Sequence, residues 1–340
     1  MQDAAPKTAT RRRIANPQIM QLLGVLVALI VLGVVFSIAS KGRFSHPENL
    51  LTVARQVSIT VVVGIGVTFI MITGNIDLAV GSYLALSGIF LANMILLGVP
   101  WWIAVILTMV ALGLLQLLVG TTIAKQRLTS LIVTLAMLSI ARGVALSWSG
   151  GKPVYIENDA FMQIGNGYWG PIPIPVIIAG CALIIGQFVL RKTRFGRYVY
   201  AVGGNEEAAR SSGINTDRIK ISVFVISGFL TGLAGCIMAA RLFSGSPVAG
   251  QGFELDVIAS VVIGGTSLFG GRGHMSGTVI GAFIPAVLRN GFIILAIQPF
   301  WQNVVVGLFL VLAVYIEQVR RGGLPAFWTR FRRAEGEQRP

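Results

Sequence analysis

Charge is scarce in this sequence, and that scarcity decides the class of protein before any motif does. Only 12% of the 340 residues are charged, whereas 54% are hydrophobic, and the mean hydropathy is +0.78. So few polar side chains cannot cover the surface of a soluble globule of this size. The composition therefore excludes a soluble domain and predicts an all-α polytopic membrane protein.

Cysteine and histidine are nearly absent, which argues against several kinds of site. Cys181 and Cys236 both fall in apolar stretches, where a small buried hydrophobe is the expected role, so no disulfide framework follows. His46 and His274 fall in different loops, and no Cys/His cluster has the spacing of metal ligands. Because no nucleophile is paired with a base either, the sequence predicts neither a metal site nor an enzyme.

A nucleotide-binding loop is missing as well. The segment GGRGHMSG, which begins at Gly270, lacks the lysine and hydroxyl pair of G-x-x-x-x-G-K-[ST] that holds nucleotide and magnesium. We therefore expect this chain to bind no cofactor. Any ATP used by the protein would be hydrolysed on another chain.

Long apolar stretches are what the sequence does contain. Each approaches the roughly 20 residues that cross a hydrocarbon core of about 30 Å. The third contains Gly81, Ser82 and Gly88, and the eighth is short and rich in glycine, so both are expected to be broken helices. The ten predicted spans are 18–38, 50–73, 76–98, 101–124, 129–149, 172–190, 220–243, 255–270, 276–297 and 301–317.

The net charge of +14 is distributed unevenly along the chain. With both termini in the cytoplasm, the inner segments hold 20 of the lysines and arginines and the outer segments hold 4. Because cytoplasmic loops retain positive charge, this predicts basic cytoplasmic tails at 1–17 and 319–340 around a transmembrane domain at 18–318. The tails could also touch anionic membrane lipid. No nucleic-acid partner is needed to explain the charge.

The connection between the sixth and seventh spans, residues 191–219, is the only long inner loop. Asn205 is a candidate N-cap, Glu206 and Glu207 suit the positive end of a helix dipole, and Gly213 can end the helix. This pattern predicts a helix of about two turns. Because an isolated helix that short is unstable in water, it must either pack under its own bundle or dock on a partner.

Three long motifs then give the sequence a family resemblance. FGRYVYAVGGNEEAARSSGI contains the predicted short helix, GNIDLAVGS runs from Gly74 to Ser82, and ELDVIASVVIGGTSLFGGRG runs from Glu254 to Gly273. Together and in this order they resemble the ribose-type sugar permeases of bacterial ABC importers, within the branched-chain and sugar permease superfamily. The resemblance extends from about residue 49 to residue 317.

The resemblance implies a permease subunit that moves a pentose or hexose across the bacterial cytoplasmic (inner) membrane. An ATP-binding subunit would carry the ATP and magnesium, a periplasmic binding protein would deliver the sugar, and a second permease copy or a paralogue would complete the path. In that family a coupling helix seats in a cleft of the ATP-binding subunit. The residues that match it here are Gly204, Asn205, Glu206, Glu207, Ala208, Ala209, Arg210 and Gly213.

Two aspartates suggest an internal duplication. Asp77 and Asp256 each open an apolar span that is rich in small residues, and five spans separate the third from the eighth. An odd offset inverts the second copy, so the pattern predicts an inverted repeat of five plus five spans with a substrate path near the repeat interface. Each aspartate either caps the helix it opens or contributes to that path.

A path for a neutral sugar needs hydrogen-bonding groups and aromatic faces that bind only weakly. Ionisable residues within spans, Arg142 and Arg289 among them, usually face the bundle interior or water, whereas Arg55 and Arg241 can extend to lipid head groups. Aromatic residues near an interface can also be belt residues. The candidate path residues are Asn75, Asp77, Ser82, Asn93, Arg142, Trp148, Phe243, Asp256 and Asn290.

Two alternative functions stay open. A secondary sugar transporter driven by an ion gradient would need a buried carboxylate that titrates or binds sodium, and Asp77 is the candidate. An ABC permease for a related small polar solute, a branched-chain amino acid or an autoinducer sugar, would share the architecture. The sequence does not distinguish ribose from xylose, galactose or allose, nor a homodimer from a heterodimer.

Overall fold

The computed structural model describes residues 17–298 and, beyond them, residues 300–302, 304, 305, 307, 308, 311, 312 and 315. The predicted basic tail at 319–340 lies outside the described residues, as does the tail at 1–17 except for its last residue, Pro17, which begins a helix. Of the predicted tenth span, 301–317, only nine residues are described, and these are helical.

Helices account for most of the described chain. They are α1 (Pro17–Ala39), α2 (Pro47–Ile72), α3 (Val80–Leu96), α4 (Trp101–Gln126), α5 (Ser130–Ser149), α6 (Asp159–Asn166), α7 (Ile174–Lys192), α8 (Arg194–Gly204), α9 (Glu206–Ser211), α10 (Thr216–Leu242), α11 (Phe253–Ile263) and α12 (Met275–Ile294). Each of the first nine predicted spans overlaps one of these helices. Six are long and apolar enough to cross a membrane: α2, α4, α5, α7, α10 and α12.

Two small antiparallel ladders interrupt the otherwise helical structure, so the all-α prediction is right only in outline. β1 (Val154–Tyr155) pairs with β4 (Ser244–Gly245), and β2 (Tyr168–Trp169) pairs with β3 (Ile172–Pro173). The first ladder joins the segment after α5 to the segment after α10. It therefore ties together two connections that are 90 residues apart in the sequence.

Helix α7 separates two groups of connecting elements. The segment before α7 contains α6 and strands β1 to β3, and the segment after it contains α8 and α9. Because α7 crosses the bundle, these two groups lie at opposite ends of the molecule. We call them the α6 end and the α9 end.

The centre of the bundle is formed by α2 and α10, which pack against each other. Every residue of α2 from Val57 to Ile72 is buried. The packing is exchanged between the two halves of the chain, since α2 also contacts α11 and α12 whereas α10 contacts α3 and α4. Each of the two central helices therefore packs against two helices from the other half of the chain.

Small residues allow these helices to approach closely. A Cβ on Gly66 of α2 would lie 2.7 Å from the Cα of Ser227 in α10, and a Cβ on Gly64 would lie 2.9 Å from Cγ2 of Thr278 in α12. The hydroxyl groups of Thr68 and Thr278 share a hydrogen bond of 2.7 Å in the interior. Close contact between backbones of this kind is typical of helices that pack within membranes.

The two helices expected to be broken differ from each other. Helix α3 continues through Gly81 and Gly88, and the part of its predicted span that is not helical is the start, before Val80. Gly81 provides room instead, because a Cβ there would collide with the carbonyl oxygen of Gly250. Helix α11 has 11 residues, about 16 Å at 1.5 Å per residue, and covers about half of a hydrocarbon core.

Candidate functional sites

A small polar cavity lies between α2, α10, α11 and α12, towards the α6 end. Its volume is about 70 Å³, well below the roughly 300–1,000 Å³ of sites that hold small-molecule ligands. In this conformation the cavity has room for water and not for a sugar. Its polar lining residues are Gln56, Thr60, Arg241, Asp256 and Arg289.

Asp256 is the predicted path residue that the structure places in this cavity. It does not cap α11, whose N-cap is Gly252, because it lies in the first turn of the helix. Its Oδ1 instead accepts a hydrogen bond from the terminal nitrogen Nη2 of Arg289 at 3.0 Å, and Nε of the same side chain lies 2.9 Å from Oδ2 within the ion pair. This two-point ion pair fixes the orientation of both side chains and joins α11 to α12.

Arg241 gives the cavity an excess of positive charge. Within the described part of the chain, its side chain makes no hydrogen bond or ion pair, and the nearby charge that acts on it is another cation, Arg55. Arg55 stacks over the ring of Tyr168 at 4.5 Å and donates to the carbonyl oxygen of Asn166 at 3.2 Å. The cavity therefore contains one ion pair and one guanidinium without a counter-charge.

Four of the polar cavity residues were missed in the predicted path. Gln56 and Thr60 are one helical turn apart on α2, and this spacing is the signal that could have identified them. Arg289 was recognised as an ionisable residue within a span, which is a signal of an interior position. The expectation that Arg241 extends to lipid head groups is wrong, because its side chain lines the cavity. Only the packing of four helices brings these residues together.

Asp77 lies in the connection between α2 and α3, away from this cavity. Its Oδ1 accepts from the backbone N–H of Ala79 at 2.9 Å, and its Oδ2 accepts from the side-chain amide of Gln116 in α4. Ala79 is the N-cap of α3, so the carboxylate supports the start of that helix, and its contribution to a path stays a prediction. The side chain is fully buried.

The other predicted path residues are dispersed, and none lines the cavity. Arg142 donates to the carbonyl oxygens of Pro247 at 2.7 Å and Ala249 at 2.8 Å and so fastens the connection before α11. The remainder bind locally or pack elsewhere: Asn75 donates to Thr73, Asn93 donates to Ile89, Asn290 and Asn49 exchange hydrogen bonds, Ser82 is buried in α3, Trp148 packs edge-on against Phe90, and Phe243 is an exposed C-cap. Their role in a path stays a prediction.

The remaining predictions from the sequence concern cysteine, histidine and metal ligands. Cys236 is buried, but Cys181 lies exposed on α7, so the expectation that both cysteines are buried is wrong for Cys181. His46 and His274 are the N-caps of α2 and α12. Among the described residues, no group of three potential metal ligands comes together.

The short helix predicted in the loop at 191–219 is confirmed as α9. Asn205 is both the last cap of α8 and the N-cap of α9, and its Oδ1 accepts from the backbone N–H of Ala208 at 2.9 Å. Gly213 follows the end of α9 with a φ of +82°, a conformation that favours glycine. Helix α8 was not predicted, although Phe195, Val199 and Val202 give it an apolar face.

Charged side chains hold α9 against the first turn of α10. Lys220 donates to Oε2 of Glu206 at 2.6 Å, and Arg210 binds Asp217 at 3.0 Å and the hydroxyl of Thr216 at 2.8 Å. Partial burial tends to raise the pKa of Glu206, but the hydrogen bonds and charges of Lys220, Thr216 and Arg210 bring it below its ordinary value. Only one face of α9 is used by these contacts.

The opposite face of α9 is open. Glu207 and Ala208 are exposed, as are Ser211 and Ser212 after them, whereas Ala209 is buried against the bundle. One side of α9 therefore packs under its own bundle. Docking of the exposed side on a partner stays a prediction.

Comparison with known proteins decides the family. The model of the family described as branched-chain amino acid transport system / permease component matches residues 49–314. The chain belongs to this family. The match includes every described helix except α1, so the permease is a multi-pass protein of the inner membrane.

Three relatives show how close the similarity is. The permease is 41% identical to the ribose import permease protein of Bacillus subtilis (strain 168) over 310 residues, which are 91% of this chain and 96% of the relative. It is 40% identical to the ribose import permease protein of Escherichia coli (strain K12) over 300 residues, 87% and 93% of the two chains. It is 36% identical to the xylose transport system permease protein of Haemophilus influenzae over 365 aligned positions, 88% and 96%. No solved structure gives a significant match.

Proposed function

We propose that the permease is the membrane-spanning subunit of an ATP-driven importer for a monosaccharide, a pentose or hexose. The identity to ribose and xylose permeases over nearly the whole chain supports this class of substrate. The observation that carries the ATP-driven mechanism is α9, a capped helix fixed to α10 on one face and exposed on the other. A transporter driven only by an ion gradient has no need of such a helix.

The proposed topology has ten spans and both termini in the cytoplasm. The excess of lysine and arginine in the segments at the α9 end supports this orientation. The exchanged packing of α2 with α11 and α12, and of α10 with α3 and α4, supports an inverted repeat of five plus five spans. In this topology the α6 end faces the periplasm.

In the proposed mechanism the exposed face of α9 seats on the ATP-binding subunit, with Asn205 as its N-cap and Gly213 as its end. The subunit holds the ATP and magnesium, and its closure on nucleotide displaces α9. The ion pairs from Glu206 and Arg210 transmit this displacement to α10, a central helix of the bundle. A rigid-body movement of this kind can change the side to which a central path opens.

We place the cavity around Asp256, Arg289 and Arg241 on the proposed sugar path. It is too small for a sugar in this conformation, so α11 and α12 must separate before a sugar can pass. A periplasmic sugar-binding protein would deliver the sugar to the α6 end, and a second permease copy or a paralogue would complete the path. Membrane lipid surrounds the exposed apolar faces.

The test of this function disrupts α9 without touching its ion pairs. Proline at Ala208 removes the N–H that Asn205 caps, and proline at Ala209 removes the N–H that donates to the Asn205 carbonyl at 3.0 Å. We expect Ala208→Pro and Ala209→Pro to abolish stimulation of ATP hydrolysis by sugar-loaded binding protein in liposomes. Ala208→Ser, which keeps the N–H, is the matched control for the loss of the hydrogen bond and should retain most of the stimulation.

The same assay separates the alternative functions. If the proline variants keep full stimulation, the assignment of α9 is wrong. If the permease alone takes up sugar in response to a proton or sodium gradient, the ATP-driven mechanism is wrong, and Asp77 becomes the first residue to study.

A further inference from the structure

Three backbone segments meet without intervening side chains at the α9 end. They are Gly203 in α8, the end of α2 at Ile72, and the loop at 264–274 between α11 and α12. The N–H of Gly271 donates to the carbonyl oxygen of Ile72 at 2.9 Å. A Cβ on Gly203 would collide with that same carbonyl oxygen and would lie 2.8 Å from the nitrogen of Gly271. We call this the three-segment glycine contact.

The loop side of this contact is itself braced. The N–H of Ser267 donates to the carbonyl oxygen of Arg272 at 2.9 Å, and Gly270 and Gly271 have φ values of +85° and +74°. Tyr200, one turn before Gly203 in α8, donates from its hydroxyl to the carbonyl oxygen of Gly273 at 2.7 Å. The loop therefore has little freedom to absorb a displacement of α8 internally.

The contact joins the two regions that the proposed mechanism must connect, α9 and the helices beside the cavity. On one side, Gly203 lies two residues before Asn205, the N-cap of α9. On the other side, the loop at 264–274 runs directly into α12, which carries Arg289, and follows α11, which carries Asp256. The contact thus lies between the exposed helix and the ion pair that closes the cavity.

We infer that the three-segment glycine contact is the link that transmits movement of α9 to α11 and α12. Gly203 is the positioning residue, because its lack of a side chain keeps the backbones in contact. Closely packed backbone atoms transmit displacement because no flexible side chain can adjust between them. Movement of the end of α8 must then move the loop, and with it the helices that hold the Asp256–Arg289 pair. This route is additional to the ion pairs between α9 and α10, and it rests on the proposed function.

Gly180 in α7 offers a matched control. It also lies within a helix, but a Cβ on Gly180 would have no atom within 4 Å. Gly203→Ala therefore separates the backbones, whereas Gly180→Ala makes the same chemical change without a collision. Tyr200→Phe weakens the same contact by removing one hydrogen bond and adds no volume, so it folds even if Gly203→Ala does not.

The experiment measures sugar uptake per ATP hydrolysed by the complete transporter in liposomes, with hydrogen exchange of α9 and of the loop at 264–274 with and without a non-hydrolysable ATP analogue. We expect Gly203→Ala to lower uptake per ATP about fivefold or more, the range of a typical coupling between sites. In this variant the analogue should still alter exchange in α9 but no longer in the loop. Tyr200→Phe should give a smaller loss in the same direction, and Gly180→Ala should match the wild type.

Each result has one meaning. If the analogue alters exchange in α9 of the wild type, and both Gly203→Ala and Tyr200→Phe keep the wild-type ratio, the inferred link is wrong and the proposed function stands. An equal loss in Gly180→Ala also overturns the link, since the effect would not depend on the contact. If α9 of the wild type does not respond to the analogue at all, the proposed function fails, and the link fails with it. Should Gly203→Ala not assemble, Tyr200→Phe decides.

Discussion

Arg289 of α12 binds Asp256 of α11 through two nitrogens, at 2.9 Å and 3.0 Å. The other aspartate at the start of an apolar span, Asp77, is bound by the neutral amide of Gln116 in α4. Each carboxylate is thus held by a side chain from the next long helix of its own half. The difference between a guanidinium and an amide means that α11 and α12 are joined by charge, whereas α3 and α4 are not.

Removing one partner of the Asp256–Arg289 pair should be more harmful than removing both charges. Arg289→Ala leaves a carboxylate that is largely buried without a cation, which typically costs about 3–5 kcal/mol. The double variant Asp256→Asn with Arg289→Gln retains hydrogen-bonding groups and leaves no net charge behind, so it should be less destabilised. Thermal unfolding in detergent would measure both. Arg197→Ala, at an exposed position on α8, is the control, and equal losses in the single and double variants would contradict the argument.

Replacing Arg241 should not destabilise the protein, in contrast to replacing Arg289 alone. Its charge lies beside Arg55 and has no counter-charge among the described residues, so it opposes folding rather than supporting it. We expect Arg241→Gln to melt at the same temperature as the wild type or higher, but to transport more slowly because the path has lost its free cation. Uptake and thermal unfolding measured on one preparation would test this. A variant that unfolds more easily would show that Arg241 has a structural role instead.

The sequence predicted what depends on neighbouring residues and missed what depends on packing. Asn205 and Gly213 fix both ends of α9 through local hydrogen bonds and backbone conformation, so that helix could be predicted. The cavity could not be, because its residues come from four helices and only tertiary contacts bring Gln56 beside Arg289. Asn93 shows why a polar residue within a span is an ambiguous signal, since its side chain can bind the carbonyl of its own helix, here that of Ile89.

Arg142 should hold the connection between β4 and α11 in place. Its two hydrogen bonds to the carbonyl oxygens of Pro247 and Ala249 span more than 100 residues of sequence. Because bonds from a charged donor contribute about 1.5–3 kcal/mol, Arg142→Ala should release this connection. Hydrogen exchange should then become faster at 246–252 and stay unchanged in α9. Arg142→Lys, which can still reach one carbonyl, should recover part of the protection, and no recovery would argue for a role beyond this tether.

The crossing of α11 and α12 should not tolerate a methyl group. A Cβ on Gly277 would collide with the carbonyl oxygen of Gly264, which is backbone and cannot rotate away. Overpacking of this kind costs about 1–3 kcal/mol, so Gly277→Ala should lower the melting temperature. Gly180 in α7 has no atom within 4 Å of the position of a Cβ, and Gly180→Ala should be neutral or stabilising by about 0.5–1 kcal/mol. A neutral Gly277→Ala would mean that the two helices already separate easily.

The attachment of α9 to α10 should be insensitive to pH near neutrality and weaken only in acid. The pKa of Glu206 in the folded protein lies below its ordinary value of 4.5, so folding favours the ionised form. Its stabilising contribution is therefore complete above pH 4.5 and is lost as the pH falls through the lowered pKa. Hydrogen-exchange protection of α9, corrected for intrinsic rates, should be constant from about pH 6 to 8 and decline below about 4.5.

Two variants distinguish this ion pair from a general effect of acid. Glu206→Gln should lose protection in α9 at pH 7 by no more than about fivefold, since an ion pair that is partly exposed contributes at most about 1 kcal/mol. Its protection should not change further as acid is added. Glu207→Gln changes the adjacent, exposed carboxylate, which makes no ion pair in the described part of the chain, and should keep the wild-type profile. If both variants lose protection equally at pH 7, the negative charge in the first turn of α9, and not the ion pair with Lys220, holds the helix in place.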